Sequence, residues 1–272
     1  MKRTLLLLLA AAVLGIWLSW VYINPYGGQI LLSQLVLQLS GARGEFPLSP
    51  YLSGLLEFTL RLVPAFLFQA FVGIRLYQHY CTASVYVFSR IPNRIRWYAG
   101  QTAVIGLQAL AYQLLLMLAA LVTALLRWQV VWDAAGFLLF ALHTLLYTLW
   151  LIMTAVLVNL LAIFQGSSAA FAWVTGGQLA LLAPLSLLPL LDDTPLTQSL
   201  LVCLNPICRL ILSWHTGQTQ LLAPALAAPY RGLYPIHSVV LLLVLCAAVL
   251  AVGAQIIRRH DLIVSDMESG GK

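Results

Sequence analysis

Charged residues are scarce in this sequence. Only 8% of its 272 residues are Asp, Glu, Lys or Arg, where soluble domains carry about 25%. That shortage excludes a water-facing surface of ordinary extent, and with it a soluble catalytic domain. Cysteine is also sparse: Cys81, Cys203, Cys208 and Cys246 have no zinc-binding spacing and are too few for a disulfide scaffold. Catalytic motifs are missing as well. There is no H-E-x-x-H, no paired acidic motif and no G-x-x-x-x-G-K-[ST] phosphate loop, so ATP hydrolysis is not expected on this chain. Gly166-Ser167-Ser168-Ala169 does not form a G-x-S-x-G nucleophile elbow. Neither an internal repeat nor a low-complexity tract divides the sequence, which predicts one membrane domain over residues 1–272.

Apolar sequence is abundant. The chain is 62% hydrophobic with a mean hydropathy of +0.94. A bilayer-crossing helix needs about 20 largely apolar residues, because the hydrocarbon is about 30 Å thick and each residue rises about 1.5 Å. Six runs qualify, over about residues 5–22, 55–76, 103–126, 134–163, 170–191 and 239–257. Backbone polar groups in lipid must pair internally, which leaves helices or a closed barrel, and these long non-alternating runs exclude the barrel. The first run could open a cleaved signal peptide. Its length, the lack of an A-x-A site and the five later runs favour a retained helix. The expected fold is an all-α membrane protein, a six-transmembrane-helix bundle.

The formal net charge of +6 could suggest nucleic acid, but the basic residues sit in short clusters beside apolar runs, as topology determinants do. With the N-terminus inside, the inner segments hold Lys2, Arg3, Arg75, Arg90, Arg94, Arg96, Arg258, Arg259 and Lys272. The outer segments hold Arg43, Arg127, Arg209 and Arg231. This bias predicts N-in/C-in, and an even number of spans requires both ends on one side. The connection between the fifth and sixth runs is the longest. Within it residues 200–214 are apolar but too short to cross, which predicts a short re-entrant or interfacial segment on the outer side.

Few residues can carry chemistry. Glu57 and Arg61, four apart in the second run, share a helix face and can form an ion pair. Such a pair belongs either to a pathway or subunit contact, or to a near-interface pair snorkelling outward. The inner connection places Arg90, Ile91, Pro92, Asn93, Arg94, Arg96 and Trp97 just before the third run. The arginines offer planar forks to carboxylates on a partner and Trp97 offers an apolar anchor, although positive-inside topology explains the same composition. His143 and Asn159 in the fourth run are expected to bond to neighbouring helices. Cys203 and Cys208 are expected to be isolated core thiols on the outer side, where oxidation is possible.

This layout resembles the membrane subunits of ABC-2 type transporters, bacterial export permeases with six helices per subunit. The likeness rests on Tyr86-Val87-Phe88-Ser89-Arg90-Ile91-Pro92-Asn93-Arg94, at the place of that family's coupling helix, and on residues 200–214, at the place of its outer helix pair. The resemblance implies a permease in a bacterial cell membrane, paired with a second permease chain as a homo- or heterodimer. A separate ABC ATPase would bind the ATP. It implies no cofactor on this chain, docking of the ATPase on residues 90–97, and no enzymatic role. Two features depart from the family: no amphipathic helix precedes the first run, and residues 30–39 form an apolar stretch without a counterpart. A non-transporting scaffold or sensor that docks a soluble partner is the alternative. An ion-coupled transporter ranks below both, since Glu57 is its only intramembrane acid.

Overall fold

The computed structural model describes residues 2–25, 27–41, 50–79, 93–185, 195–226 and 233–259. Six helices in it are long and apolar enough to cross a membrane, as expected of an all-helical membrane protein. They are α1 (Lys2–Tyr22), α3 (Pro50–Val72), α4 (Arg94–Arg127), α5 (Ala134–Gln165), α6 (Ser167–Leu182) and α8 (Pro235–Arg259). Between them lie β1 (Gln29–Leu31), α2 (Leu32–Ser40), β2 (Gln129–Val131) and α7 (Pro195–Leu204), with 3-10 turns at Pro206–Leu210 and Leu212–Trp214.

Helix α5 is central. Its span is 78% buried inside the protein, against 22–50% for the other five. Two of its hydroxyls are satisfied within the helix: Thr144 and Thr154 donate to the carbonyls four residues back, at 2.8 and 2.7 Å. On α1, Gly15 lies so close to the Leu116 carbonyl and Ala119 of α4 that no Cβ fits between them. Small residues at a helix contact allow such close approach, which supplies dispersion where lipid supplies no hydrophobic drive. Gly253 of α8 likewise lies under the Tyr98 ring of α4.

Two ends of the bundle are defined by contacts. At one, Arg3 donates to Gln78 at 3.4 Å, beside the end of the second span. At the other, the Arg127 guanidinium lies 3.9 Å above the Trp20 ring, and β1 pairs in parallel with β2. This two-stranded ladder is a small addition to an otherwise helical fold. It turns the expected short connection between α4 and α5 into an anchor for the connection that follows α1, with Gln29 donating to Gln129 at 2.9 Å.

The second span is not one continuous helix. It breaks at Gly73 and Ile74 and resumes over residues 75–79. Gly73 faces Val158, where a Cβ would come within 3.1 Å of Val158 Cγ1. Observed limits otherwise extend the expected ones by a few residues. The third span begins at Arg94 rather than near 103, and residues 186–191 of the fifth lie outside the described residues.

The apolar segment after α7 runs inside the bundle rather than over its surface. Cys208, Leu210, Ile211 and Leu212 are all buried, and Trp214 stacks edge-on against Phe58 of α3 at 5.3 Å. Asn205 begins the turn by accepting from the Ile207 amide, while its own amide donates to the Leu181 carbonyl.

Candidate functional site

The stretch of residues 30–39 folds as β1 and α2, and it organises the polar interior. Leu32, Leu35, Val36 and Leu39 recur at helical spacing and are all buried, while Gln34 on the opposite face is exposed. Gly41 ends the helix with φ +136, a conformation that favours glycine, and its amide donates to the Leu37 carbonyl at 3.1 Å. Only glycine fits there sterically as well, because a Cβ would approach Ile211 to 2.7 Å.

Both ends of α2 are also held by residues far along the chain. At the start, Asp133 accepts from the Ser33 amide at 3.0 Å through Oδ1 and from the Gly136 amide at 3.1 Å through Oδ2. One carboxylate thus caps α2 and α5 together, where the helix dipole favours negative charge. Gly136 makes this possible: a Cβ there would lie 2.6 Å from the Leu32 Cβ and the Ser33 nitrogen.

At the other end stands Arg61. Its Nη1 donates to the carbonyls of Gln38 and Leu39 at 2.6 and 2.5 Å, satisfying acceptors the helix leaves open. Its Nη2 and Nε donate to Glu57 Oε1 at 2.7 and 3.2 Å. The guanidinium also lies 3.8 Å above the Tyr22 ring. Both charged residues are 4% exposed, so the outward-snorkelling reading of this pair is overturned. The reason is geometric: the carbonyl end of α2 reaches the pair and replaces the water it would otherwise seek.

The two polar residues of α5 part company. Asn159 behaves as expected: its Oδ1 accepts from the Tyr77 amide at 3.0 Å, beside the break at Gly73, and its Nδ2 donates to the Ala155 carbonyl at 2.7 Å. His143 does not. Its Nδ1 is buried without a hydrogen-bond partner, beside a small cavity that Arg61, Gln113 and Tyr147 also line. Sequence reasoning missed a second polar cluster, in which Gln69 and Gln178 exchange amide hydrogen bonds at 3.0 and 3.2 Å and Trp150 donates to Gln178 at 3.1 Å. Polar residues buried in three different runs were the available signal.

On the segment after α7, Arg209 donates to the Cys203 carbonyl at 2.6 Å and to Ser238 at 3.4 Å. His215 Nδ1 bonds to the Ile211 carbonyl at 2.9 Å and Nε2 to the Ser238 hydroxyl at 2.8 Å. Nδ1 must carry the proton, since a carbonyl only accepts, so Nε2 accepts from Ser238. Burial drives the His215 pKa down to about 4, and the neighbouring Arg209 pushes the same way against the hydrogen bond to Ile211. Burial raises the Cys208 thiol well above its ordinary value. Cys208 and Cys246 are free thiols.

Of the basic connection, Arg90, Ile91 and Pro92 lie outside the described residues. Asn93 caps α4, its side chain accepting from the Arg96 amide at 3.1 Å, and Arg94 and Arg96 follow on the first turn. Trp97 rests partly against the core, which limits it as an anchor for another protein. Ile95 is the apolar group that points outward, 46% exposed. Comparison with models of known families, with curated proteins and with solved structures finds no match for this chain.

Proposed function

We propose that this chain is the membrane-spanning permease subunit of an ATP-driven exporter in a bacterial cell membrane. A separate ABC ATPase and a second permease chain, identical or related, would complete the assembly. The observation that carries this reading is the basic end of α4. At about 1.5 Å per residue its 34 residues extend about 51 Å, against a hydrocarbon thickness of about 30 Å. Even a tilt of about 40° leaves about 39 Å along the bilayer normal. The helix therefore reaches into water, and Arg94, Ile95 and Arg96 lie at one of its ends. Two cations and an exposed aliphatic chain on a rigid helical turn suit an acidic partner surface.

The interior chemistry favours this over ion coupling. Among the described residues there are two carboxylates, Glu57 and Asp133, and each is tied by hydrogen bonds to a structural partner. A coupling ion would have to displace Arg61 from Glu57.

The test is charge reversal at Arg90, Arg94 and Arg96, with variants matched to the parent in membrane level. ATPase copurification and stimulated ATP hydrolysis should fall, whereas Arg-to-Lys changes should retain more of both. Full coupling in the reversed variants would sink the permease reading of this connection and raise the scaffold alternative.

A further inference from the structure

Helix α2 is about 13 Å long, too short to cross a bilayer, yet it is buried among α1, α5 and the turn at Leu212–Trp214. Behind it lies the cavity lined by Leu39, Arg61, Gln113, Met117, His143 and Tyr147. A second cavity, on the side of Ser40 and Ile211, shares Arg61 and Tyr147 with the first. The carbonyl end of α2 and the Arg61 that caps it thus stand between two internal spaces.

Four polar side chains, Arg61, Gln113, His143 and Tyr147, share the lining of the first cavity with five apolar ones. His143 is 4% exposed with Nδ1 unpaired, and the Gln113 amide, 2% exposed, lines the same space. A buried polar group without a partner is costly, and a water molecule is the usual remedy where there is room and at least two polar partners. Both conditions hold here, with space for about one water molecule.

What fixes α2 is polar. An apolar helix face gains little from leaving lipid for protein, because lipid tails are as apolar as leucine. The specific hold comes from the Asp133 cap, the Arg61 cap and a three-residue strand pairing, all of them hydrogen bonds contributed by other elements.

We propose that α2 is a displaceable plug over a hydrated cavity, and that its withdrawal from Arg61 joins the two spaces into one passage with Arg61 and Tyr147 in its wall. Use of that passage as the gate of transport rests on the exporter reading; the plug itself does not.

The experiment uses the full chain purified in detergent, with Cys81, Cys203, Cys208 and Cys246 changed to Ala and Met117→Cys added as a reporter. The probe is a small charged methanethiosulfonate reagent. Labelling should be slow in this background and rise about tenfold when Asp133→Ala removes the cap, a change of about 1.4 kcal/mol in the opening equilibrium. A reporter at Ala155→Cys, buried on α5 away from the cavity, should stay protected in both. Unchanged labelling at 117, or equal acceleration at 117 and 155, would overturn the plug. If the Asp133→Ala chain does not fold, hydrogen exchange on the unaltered chain decides: amides 32–40 should exchange about tenfold or more faster than amides 146–160. Equal rates would overturn the proposal. Neither measurement needs an ATPase, so failure here leaves the exporter reading standing, and failed ATPase coupling leaves the plug standing.

Discussion

Asp133 and Arg61 hold opposite ends of one short helix: the carboxylate accepts from the Ser33 amide at 3.0 Å, and the guanidinium donates to the Gln38 and Leu39 carbonyls 2.6 and 2.5 Å away. An acid at the amide end and a base at the carbonyl end match the helix dipole. Arg61 does this while paired to Glu57, so its charge is compensated twice over. The arrangement explains how two ions can lie at 4% exposure in a membrane protein.

That double role gives a distinctive double-mutant cycle. Glu57→Gln leaves Arg61 charged but still bonded to the α2 carbonyls. Arg61→Gln leaves Glu57 charged and removes the cap as well. Each should cost about 3–5 kcal/mol, with Arg61→Gln the worse. The double variant should recover part of the loss yet remain about 1–2 kcal/mol below the parent, since the α2 carbonyls keep no charged donor. Thermal unfolding in detergent measures all three. Small additive effects would mean that water reaches the pair.

Asn159 should matter through the break in the second span. Asn159→Leu keeps nearly the same volume but removes the 3.0 Å bond from the Tyr77 amide and the 2.7 Å bond to the Ala155 carbonyl. Each lost hydrogen bond costs about 0.5–1.5 kcal/mol. His143→Leu should cost less, because the Nδ1 it removes has no protein partner. The ranking of the two variants by thermal midpoint is the check, and the reverse order would show that His143, not Asn159, holds α5 to its neighbours.

The spans were legible because crossing a bilayer requires only length and apolarity, which a single sequence displays directly. The role of residues 30–39 was not. Nine helical residues fall below that length, and their caps come from Arg61 and Asp133, far along the chain. Nothing local announces such a partner. The ion pair was legible from its spacing of four, but not its burial, which depends on α2 arriving beside it. His143 and Asn159 looked alike in sequence and differ because only Asn159 lies opposite a broken backbone. Trp97 was singled out as an anchor, yet the helical phase set by buried Tyr98 turns it partly inward and leaves Ile95 facing out.

The segment after α7 should be acid-sensitive through His215. Its folded pKa, about 4, lies below the ordinary value of 6.5, so the folded state prefers the neutral ring. Between these values the unfolded chain binds a proton that the folded chain does not. The stabilisation is therefore full above about pH 6.5, declines as pH falls towards about 4 and levels below it. The shift corresponds to about 3 kcal/mol. In His215→Gln that slope should vanish from the pH dependence of the thermal midpoint. An unchanged slope would assign the acid sensitivity to other groups.

Orientation is the last expectation, and it bears on every functional reading. Arg3 meets Gln78 at one end of the bundle, while Arg127 covers Trp20 at the other, where β1 and β2 pair. The two ends differ in basic charge: Arg3, Arg75, Arg94, Arg96, Arg258 and Arg259 belong to the first by their positions along the spans. A cytoplasmic excess of Lys and Arg sets orientation, so this end should face the cytoplasm. Reporter fusions should then place residues 79–101 and the C-terminus inside, and residues 194–236 outside. An inverted result would put Arg94 and Arg96 beyond the reach of any cytoplasmic ATPase and end the exporter reading, although the caps on α2 would be untouched. Residues 79–101 and 194–236 on the same side would contradict the odd number of crossings between them, and with it the assignment of α4, α5 and α6 as spans.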